Sequence, residues 1–136
     1  MRPHELLQVK ALPLFSEMTT ETLDSLLHAA LLQQFPPGVV LVHEGDHADF
    51  LHVLVDGLAE IFTEQNGAEW GIALVKPVLT FILAAVVSDQ PYLNSVRTLK
   101  ESRILLIPAQ RVRAIFDQDV AFARIVAREL ALAYRS

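Results

Sequence analysis

Residues 43–47, His-Glu-Gly-Asp-His, match the pattern H-E-x-x-H that holds zinc in many peptidases. That chemistry needs both histidines on one face of a helix, one turn apart, with the glutamate activating a water molecule. Here the segment follows the apolar, β-branched run Val39–Val42 and contains a Gly-Asp pair, which favours a turn after a strand. The sequence therefore predicts a turn and not a zinc peptidase.

A metal site on β-strands is the second chemistry that these side chains suggest. His43, His47 and His52 with Glu44 supply imidazole and carboxylate groups suited to iron or manganese, as in cupin β-rolls. Cupin sites use the spacing H-x-H on one strand, whereas these histidines are four and five residues apart with turns between them. The chain also has no nucleophile elbow and no Gly-rich phosphate loop. We therefore expect neither a metal site nor an enzyme.

The composition is that of one small domain with an excess of apolar residues. Of 136 residues, 52% are hydrophobic, and the formal net charge is −5. No cysteine is present, which excludes disulfides, thiolate metal sites and iron–sulfur clusters. The sequence contains neither a membrane-helix pattern nor a signal peptide, so a cytoplasmic protein is expected. The negative charge argues against nucleic-acid binding by this chain alone, and the apolar excess suggests a surface that a partner or ligand covers.

The residue pattern predicts an α+β protein, an antiparallel β-roll of the double-stranded β-helix or jelly-roll kind. N-terminal helices are expected in residues 1–35, where Thr19 or Thr20 caps the second helix. Regular turn residues mark a β-roll over 36–108, with Asn66-Gly67 as the strongest hairpin signal. The predicted strands span residues 39–42, 50–55, 58–63, 70–75, 78–87, 95–99 and 103–107. A pair of C-terminal helices over 109–136 completes a single domain of residues 1–136.

The order of these turns and strands resembles the cyclic-nucleotide-binding domain of Crp/Fnr regulators. The run FPPGVVLVHEGDHADFLHVLVDGLAEIF contains a Pro-Gly turn, a Glu-Gly-Asp turn and a closing Asp-Gly in the order found in that domain. SRILLIP, followed by two helices, matches the end of the same domain. The similarity extends from about Leu12 to the C-terminus. It implies a sensor domain of a transcription regulator and not an enzyme.

The ligand of this family is held by a cassette of the form F-G-E-x-A-L-L-x-x-x-P-R-S/T-A, which aligns without a gap with residues 81–94. In the family, the Gly lets backbone N–H groups approach the phosphate closely, the Glu binds the ribose hydroxyl, and the Arg forms an ion pair with the phosphate. Ile82, Leu83 and Tyr92 occupy those three positions here, and Leu93 replaces the Ser or Thr. Without the Arg, a buried phosphate lacks its ion pair, so binding of cyclic AMP or cyclic GMP is disfavoured.

The altered cassette is therefore interpreted as the wall of an apolar pocket, with Tyr92 or Asn94 as its polar contact. The predicted ligand-binding residues are Phe81, Ile82, Leu83, Tyr92, Leu93 and Asn94. Two alternatives stay open: a module that its own side chains fill and that binds no ligand, and a true cyclic-nucleotide binder. Some Crp/Fnr-like regulators hold haem in this domain, so the resemblance makes haem a candidate cofactor, although the sequence fixes no axial ligand.

The C-terminal helix is the predicted dimer contact. Residues 120–134 carry an apolar stripe that includes Phe122, Val126 and Leu130. In Crp/Fnr relatives this position begins the dimerisation helix, which leads to a helix-turn-helix domain. The resemblance thus implies a homodimer through this helix, a small-molecule effector, no membrane contact, and DNA binding only through a C-terminal domain absent from this chain.

Overall fold

Eight strands form two four-stranded antiparallel sheets in the part of the chain that the computed structural model describes, residues 1–77, 79–81 and 83–135. The strands are β1 (Leu31–Phe35), β2 (Val40–Val42), β3 (Phe50–Asp56), β4 (Ala59–Gln65), β5 (Ala68–Val75), β6 (Leu79–Phe81), β7 (Ser95–Thr98) and β8 (Ser102–Pro108). One sheet has the order β1-β8-β3-β6 and the other the order β2-β7-β4-β5. The predicted α+β jelly-roll fold is confirmed.

Helices lie before, within and after this roll. The first three are α1 (Pro3–Lys10), α2 (Pro13–Ser16) and α3 (Thr20–Ala29); α4 (Leu83–Ser88) lies between β6 and β7; α5 (Ala109–Gln118) and α6 (Val120–Arg135) follow β8. Thr19 caps α3, as predicted, because its hydroxyl accepts a hydrogen bond from the Thr22 amide at 3.2 Å. The Asn66-Gly67 hairpin is also confirmed, and both residues have positive φ, as a type I′ turn requires.

Two predicted elements were wrong. The helical region expected up to residue 35 ends at Ala29, and Leu31–Phe35 forms strand β1 along β8. Leucines at positions 31 and 32 continue the helical spacing, but pairing with β8 satisfies the backbone groups of this segment in a strand. The strand expected over 78–87 is a three-residue strand, β6, followed by helix α4. A short apolar run is ambiguous between strand and helix, which is why its type was misjudged.

The core is centred on β3 and β8, which are neighbours inside one sheet. Leu51 and Leu54 on β3 and Ile104 and Ile107 on β8 are all completely buried. Helices α1, α3 and α5 contact these two strands, so side chains on both faces of the sheet are buried. This explains why β3 and β8 are continuous apolar runs without a polar–apolar alternation.

Two of the three predicted dimer contacts lie inside the chain. Phe122 and Val126 are each only 1% exposed, because α6 packs against α2 and α5. A second copy cannot reach either side chain in this arrangement, so their assignment to a dimer interface is corrected here. Leu130 is half-buried, and the large apolar side chains exposed on the described part of α6 are Val120 and Leu132. Helical periodicity indicates that a face is buried but not which partner buries it.

A buried ion pair fixes the N-terminal helix to the roll. Glu5 of α1 is 3% exposed, and its carboxylate accepts hydrogen bonds from the Arg103 guanidinium on β8 and from the Arg2 amide at 2.8 Å. Burial by itself would raise the pKa of Glu5, but these donors and the two positive charges hold that pKa below its ordinary value. The carboxylate is therefore ionised in the folded protein at neutral pH.

Glu5→Gln is expected to lower the free energy of unfolding by about 3 kcal/mol at pH 7, because Arg103 loses its charged partner in a largely buried position. The pKa of Glu5 is lower in the folded state than in the unfolded state, where it is near 4.5. The ionised Glu5 carboxylate therefore stabilises the fold above pH 4.5, and this stabilisation is lost as the pH falls through the folded-state pKa. Urea unfolding at pH 7 and at pH 3 measures both effects. The matched control is Glu17→Gln, since Glu17 pairs with Arg128 at the surface and should change stability by less than about 0.5 kcal/mol. Equal losses in the two variants at pH 7 would contradict the assignment.

Candidate functional site

Residues 79–94, here called the cassette segment, run from β6 through α4 and a loop to β7. Helix α4 ends at Ser88, and Asp89 follows with φ of 54°. On α5, Arg113 donates a hydrogen bond to the Val86 carbonyl at 3.2 Å and lies 3.5 Å from the Asp89 carboxylate. The C-terminal end of α4 is thus held by a cation on α5, as the helix dipole favours.

The loop of the cassette segment is bonded to the Glu44-Gly45-Asp46 turn. The Tyr92 amide donates to the Asp46 carbonyl at 3.0 Å, and the Gly45 amide donates to the Tyr92 carbonyl at 2.8 Å. Gly45 has φ of 88°, a conformation that glycine adopts without strain. The Ser95 hydroxyl accepts from the Glu44 amide at 2.9 Å. The turn predicted from the H-E-x-x-H segment is confirmed, and its role here is to hold the cassette loop.

A cavity of about 190 Å³, here called the cassette cavity, lies between this segment and strands β4 and β7. It is lined by Ile61, Ala84, Ala85, Tyr92, Leu93, Asn94 and Val96. Ile61 and Val96 are cross-strand partners in the register of β4 and β7. The lining is almost entirely apolar and carries no charged side chain, so it offers no charge to a phosphate.

Three of the six predicted ligand-binding residues line this cavity, namely Tyr92, Leu93 and Asn94. Phe81 and Leu83 do not line it, because their side chains are buried in the core at 5% and 7% exposure. Ile82 lies outside the described residues. Sequence reasoning missed Ile61 and Val96, whose only signal was apolar residues on strands whose pairing was unknown.

Tyr92, which the predicted cassette alignment sets against the family's Arg, is a buried neutral phenol. Burial raises its pKa, and the nearby Asp49 and Asp46 carboxylates act in the same direction. Backbone hydrogen bonds at Asp49 and Phe50 oppose this shift in part, which places the hydroxyl next to the start of β3. The phenol therefore presents no positive charge to a ligand.

His47 of the H-E-x-x-H segment connects the turn to the cassette segment. Its Nδ1 atom lies 3.0 Å from the Asp49 carboxylate and its Nε2 atom 2.9 Å from the Asp89 carboxylate. The hydrogen bond from Asp49 and the charges of both aspartates raise the pKa of His47. Both ring nitrogens thus face carboxylates, which suits an imidazolium cation.

Haem does not fit the cassette cavity. Its lining contains neither His nor Met, and the one side chain in it able to bind iron is Tyr92, which is only 7% exposed. Pockets for drug-sized ligands span about 300–1,000 Å³, and haem is larger than most such ligands. A cavity of about 190 Å³ is too small for it.

Residues 32–119 match the family model of the cyclic nucleotide-binding domain. Potassium channel GORK of Arabidopsis thaliana is 26% identical over 112 residues, which are 80% of this chain but only 13% of the channel. The sensor domain of the transcriptional regulator DNR from Pseudomonas aeruginosa superimposes with a TM-score of 0.85 at 19% identity, covering 96% of this chain and 87% of that one.

Thermus thermophilus catabolite activator protein superimposes with a TM-score of 0.77 at 22% identity, over 90% of this chain and 58% of that protein. This chain therefore spans less than two thirds of the catabolite activator protein and a small part of the channel. None of the helices described is both long enough and apolar enough to cross a membrane. The matched region covers both sheets except Leu31 and all of helices α4 and α5, and on that ground the chain belongs to the cyclic nucleotide-binding domain family.

Proposed function

We propose that this chain is the effector-sensing domain of a Crp/Fnr-type regulator, and that its cassette segment binds a small, largely apolar effector in place of a cyclic nucleotide. The observation that carries the proposal is the lining of the cassette cavity, which is apolar apart from Tyr92 and Asn94. A buried phosphate would meet no cation in that lining, and the cost of desolvating it would remain uncompensated.

The volume of the cavity limits the size of the effector. An apolar protein cavity of about 150 Å³ stays dry and binds benzene, so a cavity of about 190 Å³ suits a molecule with one small ring. The Asn94 amide supplies both a donor and an acceptor and is the best placed group to orient such a ligand. Haem is not part of this proposal, for the reasons of size and ligation given above.

A route from the cavity to the C-terminal helix supports the sensing role. Ala84 and Ala85 line the cavity on α4, and Arg113 of α5 is bonded to the end of that helix. The Asp119 carboxylate, between α5 and α6, accepts from the Phe122 amide at 3.2 Å. A ligand that displaces α4 would therefore move α5 and α6 together, as packed helices shift in known switches. A homodimer would use the exposed side of α6, with Val120, Leu132 and Leu130, since Phe122 is buried.

The test is thermal unfolding with toluene and with cyclic AMP as probes. We expect toluene to raise the Tm of the wild-type protein and cyclic AMP to leave it unchanged. Ala84→Leu, which fills the cavity, should abolish the toluene effect, whereas Ala114→Leu on the exposed face of α5 should retain it. Stabilisation by cyclic AMP alone would overturn the proposal. Native mass spectrometry of the purified protein then identifies a natural effector by its added mass and reports whether a dimer forms.

A ligand-free module is the second candidate, and one observation favours it. Phe81, Leu83 and Tyr92 are at most 7% exposed, so three side chains of the cassette segment are already packed inside the chain itself. Absence of any toluene effect, together with an apoprotein dimer in native mass spectrometry, would select this alternative.

A further inference from the structure

We propose that the protein has a second ligand site, a cavity that shares Tyr92 with the cassette cavity and takes a small apolar molecule carrying one hydrogen-bond donor. This second cavity has a volume of about 430 Å³ and lies among β1, β2, the β2–β3 turn, β3 and β8. It does not depend on the function proposed above, because it is built from other residues apart from Tyr92.

The floor of the second cavity is apolar except for one imidazole. Val42, Tyr92 and Leu106 are at most 9% exposed and form this floor together with His52, which is 6% exposed. The His52 ring also packs against Phe81, with ring centroids 5.2 Å apart. A molecule in this cavity would therefore contact apolar side chains and one buried nitrogen heterocycle.

The hydrogen bonds of His52 fix which ring nitrogen can accept. Its Nδ1 atom lies 3.1 Å from the Phe50 carbonyl oxygen, and because a carbonyl only accepts, Nδ1 carries the proton. Burial lowers the pKa of His52 to about 4, so the ring is neutral at pH 7. Nε2 is then a hydrogen-bond acceptor with a free lone pair.

No described residue donates to Nε2, and among the described residues no fully buried side-chain nitrogen or oxygen lacks a partner. Nε2 is therefore accessible to small molecules, and the second cavity, which the ring lines, is an opening beside it. An accessible acceptor in a largely buried ring takes its donor from water or from a ligand. An N–H or O–H group on an apolar ligand body matches both the floor and this acceptor.

The rim of the second cavity sets the charge of the ligand. Asp46 and Asp49 lie there beside His43 and His47, and His47 is already bonded to Asp49. An imidazolium at His47 offsets the charge of Asp49, and the remaining carboxylate of Asp46 repels an anion, so the site differs in its chemistry from a phosphate-binding site. The ligand class is accordingly neutral or cationic.

Indole and benzofuran test the proposal, because they share one shape and differ in a single N–H donor. By calorimetry at pH 7, we expect wild-type protein to bind indole about ten-fold more tightly than benzofuran. His52→Phe should bind both equally, and His52→Leu serves the same purpose if the phenylalanine variant does not fold. Ala84→Leu, which fills the cassette cavity, should retain the ten-fold preference.

Three results would overturn the proposal. The first is equal affinity of wild-type protein for the two probes, or no binding of either. The second is loss of indole binding in Ala84→Leu, which would place indole in the cassette cavity. The third is tighter binding of indole-3-acetate than of indole, which would contradict the acidic rim.

Discussion

Replacing Gly57 by alanine is expected to lower the free energy of unfolding by about 3–5 kcal/mol. Gly57 directly follows β3 and has φ of 110°, a region that residues with a side chain rarely adopt. A Cβ atom at this position would lie 2.2 Å from the Ser102 hydroxyl oxygen and 2.7 Å from the Glu101 carbonyl oxygen. Backbone strain and overpacking thus add at one site.

The neighbours of Gly57 cannot move away cheaply. Ser102 is completely buried, and its hydroxyl donates to the Lys100 carbonyl at 2.8 Å while accepting from the Leu58 amide at 3.3 Å. Displacing it would break the bonds that join the β3–β4 turn to β8. The Asp-Gly pair noted in the sequence is therefore a packing contact as well as a turn.

Gly67→Ala is the matched control for Gly57→Ala. Gly67 also has positive φ, at 79°, but nothing lies within 4 Å of a Cβ built there. Its substitution should cost about 1 kcal/mol from backbone strain alone. Urea unfolding of both variants separates the cost of backbone strain from the cost of the steric contact. Equal losses of unfolding free energy in the two variants would show that the contact with Ser102 is relieved without cost.

Restoring the family's phosphate-reading residues is expected to give the largest change in ligand binding. The variant Ile82→Gly, Leu83→Glu, Tyr92→Arg should bind cyclic AMP at least about 100-fold more tightly than the wild type. The reason is that the introduced carboxylate and the introduced guanidinium can each form charge-assisted hydrogen bonds with the nucleotide. Isothermal titration calorimetry measures the gain.

The control for this variant carries the same first two substitutions with Tyr92→Met. It has a long side chain at position 92 but no guanidinium, so it should gain little affinity. Leu83 and Tyr92 are buried in the wild type, so their replacement disturbs the core. Circular dichroism therefore has to establish that each variant is folded before its affinity is compared. Failure of the folded arginine variant to bind cyclic AMP would contradict the cassette alignment.

The sequence predicted the β-roll well because its turns are specified locally. Asn66-Gly67, Gly57 and Gly45 all adopt positive φ, and only a few residue types tolerate that conformation, so they mark strand ends reliably. Such turns rest on short-range chemistry that one stretch of chain contains in full. The ligand-binding role of Tyr92 and Asn94 stays a prediction, although both line the cassette cavity.

The failures concern interactions between distant segments. Leu31 fits a helix by spacing, and only its pairing with Leu106, far along the chain, makes it a strand residue. Phe122 carries the same apolar signal whether its own core or a second copy covers it. His52 gave no sign of lying in a cavity floor, because that position depends on how β2 and β8 close around it.

Tyr92 belongs to the walls of both cavities, which has a thermodynamic consequence. A ligand that displaces this ring from one side changes the free energy of filling the other side. By linkage, the factor by which the first ligand alters the affinity of the second must equal the factor in the reverse direction. The Tyr92 side chain would then determine the sign of the cooperativity. Cooperativity is negative where both ligands occupy the space that the ring vacates. It is positive where the first ligand moves the ring away from the cavity that the second ligand fills.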